Sequence, residues 1–460
     1  MKRIFSYFFI IMITFSMTFS FFCTPVSAKK ETSKWPDEPS IFGEAGVLID
    51  ADTGTVLFDK KSHKKMYPAS ITKIMTALLT IENCKLDDTV VFSDKAIGCL
   101  SYDDANIACQ VGEKMSVKEC LYALMLSSAN EVAAALGEQV AGSKEKFAEM
   151  MNQRAKQAGA KNTHFVNANG LHDENHYVTA YDMAMIMKDA LSYPVFREII
   201  NSTSYKIGKN NKRKESFTSY QRHKMVWPTS GFYYEGIIGG KTGYTDQSGT
   251  TLVTSAKRDG MTLISVVLKS NGNNVYEDTK ILLDYGFKNF QSLKVSEYES
   301  SFSEDATAKR KSPFCDATDS IAFDNTSSVV IPQKAKFSDL TKTVTFNLTD
   351  KSFATITYQY FDKIVGYGNL VYTHTTYGDA SQVPQVTTTA NVDTKQKNEV
   401  PAVEESTTQE TKKSRKPIKI PAFVLPLGIA VVIIICIFIL IKMQQRRLNK
   451  IRAMKRHRKR

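Results

Sequence analysis

The chain has 460 residues, 42% hydrophobic and 23% charged, with 13 prolines; it is too long for one ordinary domain and too apolar to be disordered throughout. Its formal charge of +13 suggests nucleic-acid binding, but the distribution of that charge argues against it. Ten Lys or Arg lie in residues 442–460, five in 412–419 and two at Lys2 and Arg3; without them the remainder carries a mild excess of acid, so no nucleic-acid partner is expected.

The first element is Met1-Lys2-Arg3 followed by an apolar run from Ile4 to Phe22 and small residues at Val26 and Ala28. This predicts a secretory signal peptide over 1–28, with an uncleaved anchor helix as the alternative. Either way the following segment leaves the cytoplasm. Ala45–Ile49 and Thr55–Phe58 read as strands, with Asp52-Thr53-Gly54 as the turn of a hairpin. Tyr67-Pro68-Ala69-Ser70 precedes helical apolar spacing from Ile71 to Ile81, and proline suits a helix start, so Ser70 falls in the first turn. Ser116 to Ala141 reads as a helix broken near Ser127-Ser128; 144–157 and 180–191 read as further helices. Thr250–Val253 and Met261–Leu268 are strands turning through Arg258-Asp259-Gly260, and Val275–Phe287 returns to helical spacing. Strands at both ends with helices between predict a mixed sheet carrying a helical lobe, an α/β (α+β) domain over 38–290.

After Val295 short β-branched and aromatic runs, 328–331, 344–348, 354–360 and 368–372, predict a small all-β domain over 293–376, with turns at Asp350-Lys351 and Asp362-Lys363. Residues 378–419 lack aromatics and read as a flexible linker. Ile420 to Ile441 holds 22 residues and no charge, ~33 Å as a helix, and predicts a single C-terminal transmembrane helix. The basic tail 442–460 then lies in the cytoplasm and the folded mass outside. The expected location is the bacterial cell membrane, single-pass, with the catalytic domain extracytoplasmic. Cys84, Cys99, Cys109, Cys120 and Cys315 remain in that mass; the odd count leaves a thiol free, and whether Cys99 and Cys109 close a loop stays open. No Cys-x-x-Cys pair occurs, which argues against a thiolate zinc site.

Three segments carry candidate chemistry. In Ser70-Ile71-Thr72-Lys73 the hydroxyl and the amine face one side of a helix start. A serine needs a neighbouring base, and a lysine supplies one when burial or a nearby cation lowers its pKa. In Ser128-Ala129-Asn130 a hydroxyl and an amide lie at the break between two helices, placed to relay a proton and bind a substrate amide; a helix cap is the plainer use of both. In Lys241-Thr242-Gly243, preceded by Gly239-Gly240 and followed by Tyr244-Thr245, a strand offers a cation, a hydroxyl and a glycine that admits close approach, together able to hold a carboxylate. Each segment alone is common.

Their joint order resembles the penicilloyl-serine transferases, the penicillin-binding proteins and serine β-lactamases. The wider context, Tyr67–Thr76, Asn167-Ala168-Asn169-Gly170-Leu171 and Gly240–Thr245, is similar to the low-molecular-mass serine-type D-alanyl-D-alanine carboxypeptidase family. That resemblance implies a penicillin-binding-protein-like fold over 38–290. It implies Ser70 as nucleophile, Lys73 as its base, Ser128 as proton relay and Asn130 as orienter. Lys241, Thr242, Gly243 and the backbone of Tyr244 would bind the substrate, with the Ser70 and Tyr244 N–H groups as oxyanion hole. The implied partners are peptidoglycan stem peptides ending in D-Ala-D-Ala, β-lactams as inhibitors, and the cytoplasmic membrane; no metal and no cofactor is implied. The chain departs from better-known members at Tyr244, where His is often seen, and at Ala129, where Gly is. No Arg beyond Lys241-Thr242-Gly243 matches a carboxylate partner, Arg258 being at a hairpin tip. Three alternatives stand beside this reading. A serine β-lactamase would need a Glu to activate water, for which Glu174 is the candidate. A zinc peptidase would use His172 and His176. A non-catalytic surface protein would keep a degenerate enzyme domain that only binds wall peptide, against which the intact Ser70, Lys73, Ser128, Asn130 and Lys241 argue.

Overall fold

A computed structural model describes residues 35–101, 103–299, 310–311, 318–347 and 352–374. The expected signal peptide (1–28), linker (378–419), transmembrane helix (420–441), tail (442–460), Cys315 and the Asp350-Lys351 turn lie outside the described residues. Among the described residues no helix is long and apolar enough to cross a membrane.

The hairpin β1 (Ala45–Asp50) and β2 (Val56–Lys60) opens the fold. The Asp50 carboxylate closes its turn by accepting from the Thr53 amide and hydroxyl, both at 2.8 Å. A 3₁₀ turn, Ala69–Thr72, runs straight into the Lys73–Asn83 helix. Two small ribbons follow in chain order: β3 (Thr89–Val91) with β4 (Lys114–Ser116), and β5 (Ser204–Ile207) with β6 (Phe217–Tyr220). Between them lie helices Val117–Tyr122, Asn130–Ala141, Lys144–Gln157, Ala180–Ala190 and Pro194–Asn201. Several start on the signals their sequences carry. Ser116 and Glu119 form a capping box, and the Ser143 and Thr179 hydroxyls accept from the amides three residues on.

Strands β7 (Ile237–Thr245), β8 (Gly249–Arg258) and β9 (Met261–Ser270) complete a five-stranded sheet of order β2-β1-β9-β8-β7. Asp259 and Gly260, both at positive φ, make the two-residue β8–β9 turn. Every pairing is antiparallel, so the expected mixed sheet is corrected. Hairpins join β1 to β2 and β7 through β9, and β1 meets β9 antiparallel, which leaves no parallel neighbour.

Alternate residues go to opposite faces. Val47, Ile49, Ile264 and Val266 join the core under the helical lobe. Leu48, Leu57, Leu263 and Val267 pack with the Asn274–Asn289 helix on the other side. The sheet is thus the middle of three layers, and β7 is its edge.

A seven-stranded antiparallel sheet follows: β10 (Phe290–Lys294), β11 (Arg310–Lys311), β12 (Thr318–Phe323), β13 (Ser328–Pro332), β14 (Thr341–Phe346), β15 (Ser352–Tyr360) and β16 (Lys363–His374). Its core gathers Val329, Ile331, Phe337, Ile356 and Tyr358. Trp35 ties it to the first sheet: the indole N–H donates to the Leu57 carbonyl and the ring lies 4.9 Å from that of Phe290.

Candidate active site

Ser70 lies in the 3₁₀ turn and Lys73 begins the helix that continues it. The intervening geometry is the one the three-residue spacing called for: Lys73 Nζ donates to Ser70 Oγ at 2.9 Å. The ammonium position is completed by Asn130 Oδ1 at 2.7 Å and the Asn169 carbonyl at 2.6 Å. Lys73 is 0% exposed, and burial, helped by the charge of Arg222, brings its pKa down to about 7. A lysine poised there exchanges protons near neutrality, which an ordinary surface lysine does not.

The turn itself is held in a strained shape. Ala69, just before Ser70, has φ +52°, a region costly for any residue with a side chain. Two glycines brace it. A Cβ on Gly170 would lie 1.9 Å from the Ala69 carbonyl oxygen, and one on Gly243 would lie 2.9 Å from the Ser70 nitrogen. Thr251 Oγ1 donates to the Pro68 carbonyl at 2.9 Å. The edge of the sheet is therefore pressed against the Ser70 turn.

From the other side, residues 165–178 clamp the helix. His176, buried, bonds Thr72 Oγ1 at 3.0 Å through Nε2, while its Nδ1 accepts from the Val166 amide. The Thr76 hydroxyl donates to the Ala168 carbonyl at 2.6 Å. These contacts explain why His176 is not a metal ligand paired with His172: both its nitrogens are used, and the exposed His172 ring stands edge-on against Tyr67 instead.

Ser128 follows a π-helical turn, Ala123–Ser127, and adopts φ +64°, which breaks the helix as expected. Neither Ser128 nor Asn130 caps the next helix; its cap residue is Ala129, which has no side-chain bond to offer. Asn130 is instead committed to Lys73. Ser128 and Asn130 line a cleft of about 750 Å³ together with Ser70, Thr242, Gly243 and Tyr244.

Lys241 and Thr242 point differently, as neighbours on a strand do. Thr242 lines the cleft. Lys241 is 1% exposed, and its Nζ donates to the Thr242 carbonyl at 2.8 Å. Burial, then the charges of Lys73 and Arg222, hold its pKa well below the ordinary lysine range. The amine therefore lies behind the wall of the cleft rather than on it. Tyr244 is 65% exposed at the cleft mouth, its hydroxyl bonded to Asp246 at 2.9 Å.

The guanidinium missing from the sequence reading is Arg222. It lines the same cleft as Ser70, carried there by the segment after β6. No spacing signal marks it, since it precedes Lys241 rather than following it. Arg258, by contrast, stacks over Tyr234 and donates to the Glu235 carbonyl, away from the cleft. Asn169 is the second omission: its segment was part of the family resemblance, but only packing shows its carbonyl on Lys73. The carboxylates lining the cleft are Asp103 and Asp104. Glu174 faces a different depression, beside Glu44, Lys64 and Tyr67, so it is not placed to activate water at Ser70.

The family model for D-alanyl-D-alanine carboxypeptidases matches residues 32–272. The D-alanyl-D-alanine carboxypeptidase DacF of Bacillus subtilis is 32% identical over 302 residues, covering 64% of this chain and 75% of the relative. DacC of Escherichia coli is 30% identical over 266 residues, covering 56% and 64%. Among solved structures, the Streptomyces K15 DD-transpeptidase is similar with a TM-score of 0.52 and 27% identity, over 55% of this chain and 100% of that one.

Proposed function

The chain belongs to the D-alanyl-D-alanine carboxypeptidase family, and from that premise we propose that Ser70 and Lys73 are its acylation pair in the cleft beside β7. The protein is a serine-type hydrolase that removes the terminal D-alanine of peptidoglycan peptides, in a penicillin-binding family. The observation that carries the residue assignment is the fully buried Lys73 amine, 2.9 Å from Ser70 Oγ, with its pKa near 7.

In the acylation step neutral Lys73 takes the Ser70 proton as Oγ attacks the carbonyl between the two D-alanines. The negative charge on the carbonyl oxygen is stabilised by the Ser70 and Tyr244 backbone N–H groups, a reading supported by the close approach of Gly243, next to Tyr244, to the Ser70 nitrogen. As the C–N bond breaks, the leaving amine receives a proton through Ser128, and free D-alanine departs. Water then attacks the ester on Ser70; its proton returns by way of Lys73, and the shortened peptide leaves. The terminal carboxylate is recognised by Thr242 and Arg222, with the buried Lys241 amine fixing the Thr242 carbonyl behind them. Gly243 serves by lacking a Cβ. β-Lactams, which present the same carbonyl and carboxylate, acylate Ser70.

The remaining parts complete the reading: a catalytic domain over 38–290, a β-rich domain near 293–376 that holds it off the membrane, and a tether to the 420–441 anchor, placing the site outside the cell. The test is incubation of the full chain with a peptide ending in D-alanyl-D-alanine and, separately, with a fluorescent penicillin. Release of D-alanine and labelling, both lost in Ser70→Ala, are expected; release that persists in Ser70→Ala would overturn the assignment.

A further inference from the structure

We infer that the cavity behind the Asn169–Leu171 loop is a subsite for the diamino-acid side chain that precedes the two D-alanines of the stem peptide, and that it selects an alkyl chain ending in an amino-acid zwitterion. The inference rests on the carboxypeptidase reading and deepens it.

The cavity holds about 540 Å³, within the range of small-ligand sites. Asn169 and Leu171 line both it and the Ser70 cleft, so one loop separates the two spaces. That loop is close to the chemistry. The Asn169 carbonyl accepts from Lys73 Nζ, which in turn donates to Ser70 Oγ, so it lies two hydrogen bonds from the attacking oxygen. With the terminal carboxylate directed to Thr242 and Arg222, the peptide leaves the scissile bond towards Asn130 and Asn169. The diamino acid is one residue step of about 3.8 Å beyond the penultimate D-alanine, and its long side chain covers the rest of the way.

The lining suits that side chain along its length. The floor is apolar: the buried Phe147 ring, Ala168, Leu171 and Gly137, where an added Cβ would lie 3.0 Å from Phe147. The rim carries both signs of charge, Lys95 and Lys144 on one hand, Glu138, Glu145 and Asp173 on the other. Among the described residues none of these five forms an ion pair. A lone cation or a lone anion would meet like charge on part of the rim. A zwitterion on a methylene stem meets a partner for each end and buries its stem on the floor. A side chain seated there also bears on the loop that holds Lys73.

The test uses the full chain and two stem peptides that end in D-alanyl-D-alanine and differ only in the third side chain, meso-diaminopimelate or lysine. The wild type should hydrolyse the diaminopimelate peptide with kcat/KM about tenfold higher, the scale of one or two screened charge contacts. In Lys95→Ala/Lys144→Ala the preference should vanish, with the lysine peptide and labelling by fluorescent penicillin unchanged. Equal wild-type rates on the two peptides, or a preference that survives in the double variant, overturns the subsite. A wild type that releases D-alanine from neither peptide strikes down the carboxypeptidase reading itself, and the subsite with it.

Discussion

The five-stranded sheet is buried on both faces, whereas β15 of the seven-stranded sheet alternates buried with half-exposed positions and β14 is exposed along its whole length. The first sheet lies between a helical lobe and the Asn274–Asn289 helix, so its edge strand is a rigid rail against which the Ser70 turn can be pressed. Two lysine amines are buried beside it, Lys73 and Lys241. Keeping amines there demands fixed acceptors, and the layered core provides them. Among the described residues the second sheet carries no buried lysine; Glu299, buried beside it, accepts from Lys342 and Tyr358. Burial on both faces and a strained turn surround the Ser70–Lys73 pair, while the one-sided sheet with exposed strands fits the supporting role proposed for it.

Substitutions can break this contrast at graded strength. Ser70→Ala should lower D-alanine release by about 10⁴-fold or more with no loss of thermal stability, measured by amino-acid release and melting. Gly243→Val places a Cβ 2.5 Å from Thr251 Oγ1 and 2.9 Å from the Ser70 nitrogen, and should cost about 10²-fold in kcat by displacing the turn. A comparable glycine change in β16, away from the cleft, should alter melting alone.

Arg222→Gln should raise KM by about tenfold through the lost carboxylate contact. It should also move the pH profile. On the proposed mechanism release requires neutral Lys73, so activity should rise with pH through about 7. Arg222 helps to depress that pKa, so its loss shifts the rising limb to higher pH. A limb that stays in place would show that burial alone sets it.

His176 and His223 are buried and neutral, each lowered by burial from 6.5 to about 3. The unfolded chain takes up these protons below pH 6.5 and the folded chain does not. Stability is therefore intact above pH 6.5 and falls as pH drops towards 3, by about 1.4 kcal/mol per unit for each histidine. Urea denaturation of His176→Gln should show a shallower loss between pH 6.5 and 5 than the parent. The smallest effect on activity is expected in the second sheet: Lys342→Ala, which removes the half-exposed partner of the buried Glu299, should lower the melting temperature and leave D-alanine release untouched.

Much of this was legible before any coordinates. Apolar spacing placed helices at 144–157 and 180–191, within a residue of those observed, because a repeated apolar face acts within a few residues; the Ser143 and Thr179 caps that start them add to the same local signal. The Asp259-Gly260 turn was legible for the same reason. The mixed sheet was misjudged because strand direction depends on how hairpins meet across the fold, which no local pattern encodes. Arg222 escaped because a guanidinium that reaches a cleft from a loop leaves no periodic mark.

By itself the sequence determined the Ser70–Lys73 pairing, since three residues at a helix start bring two side chains to one face whatever surrounds them. Only the tertiary structure decided what that pair can do. Asn130 and the Asn169 carbonyl, 57 and 96 residues from Lys73, close around its amine and take it out of water. Desolvation is a property of the whole packed site, and it is what turns a surface-type ion into a base near neutral pH.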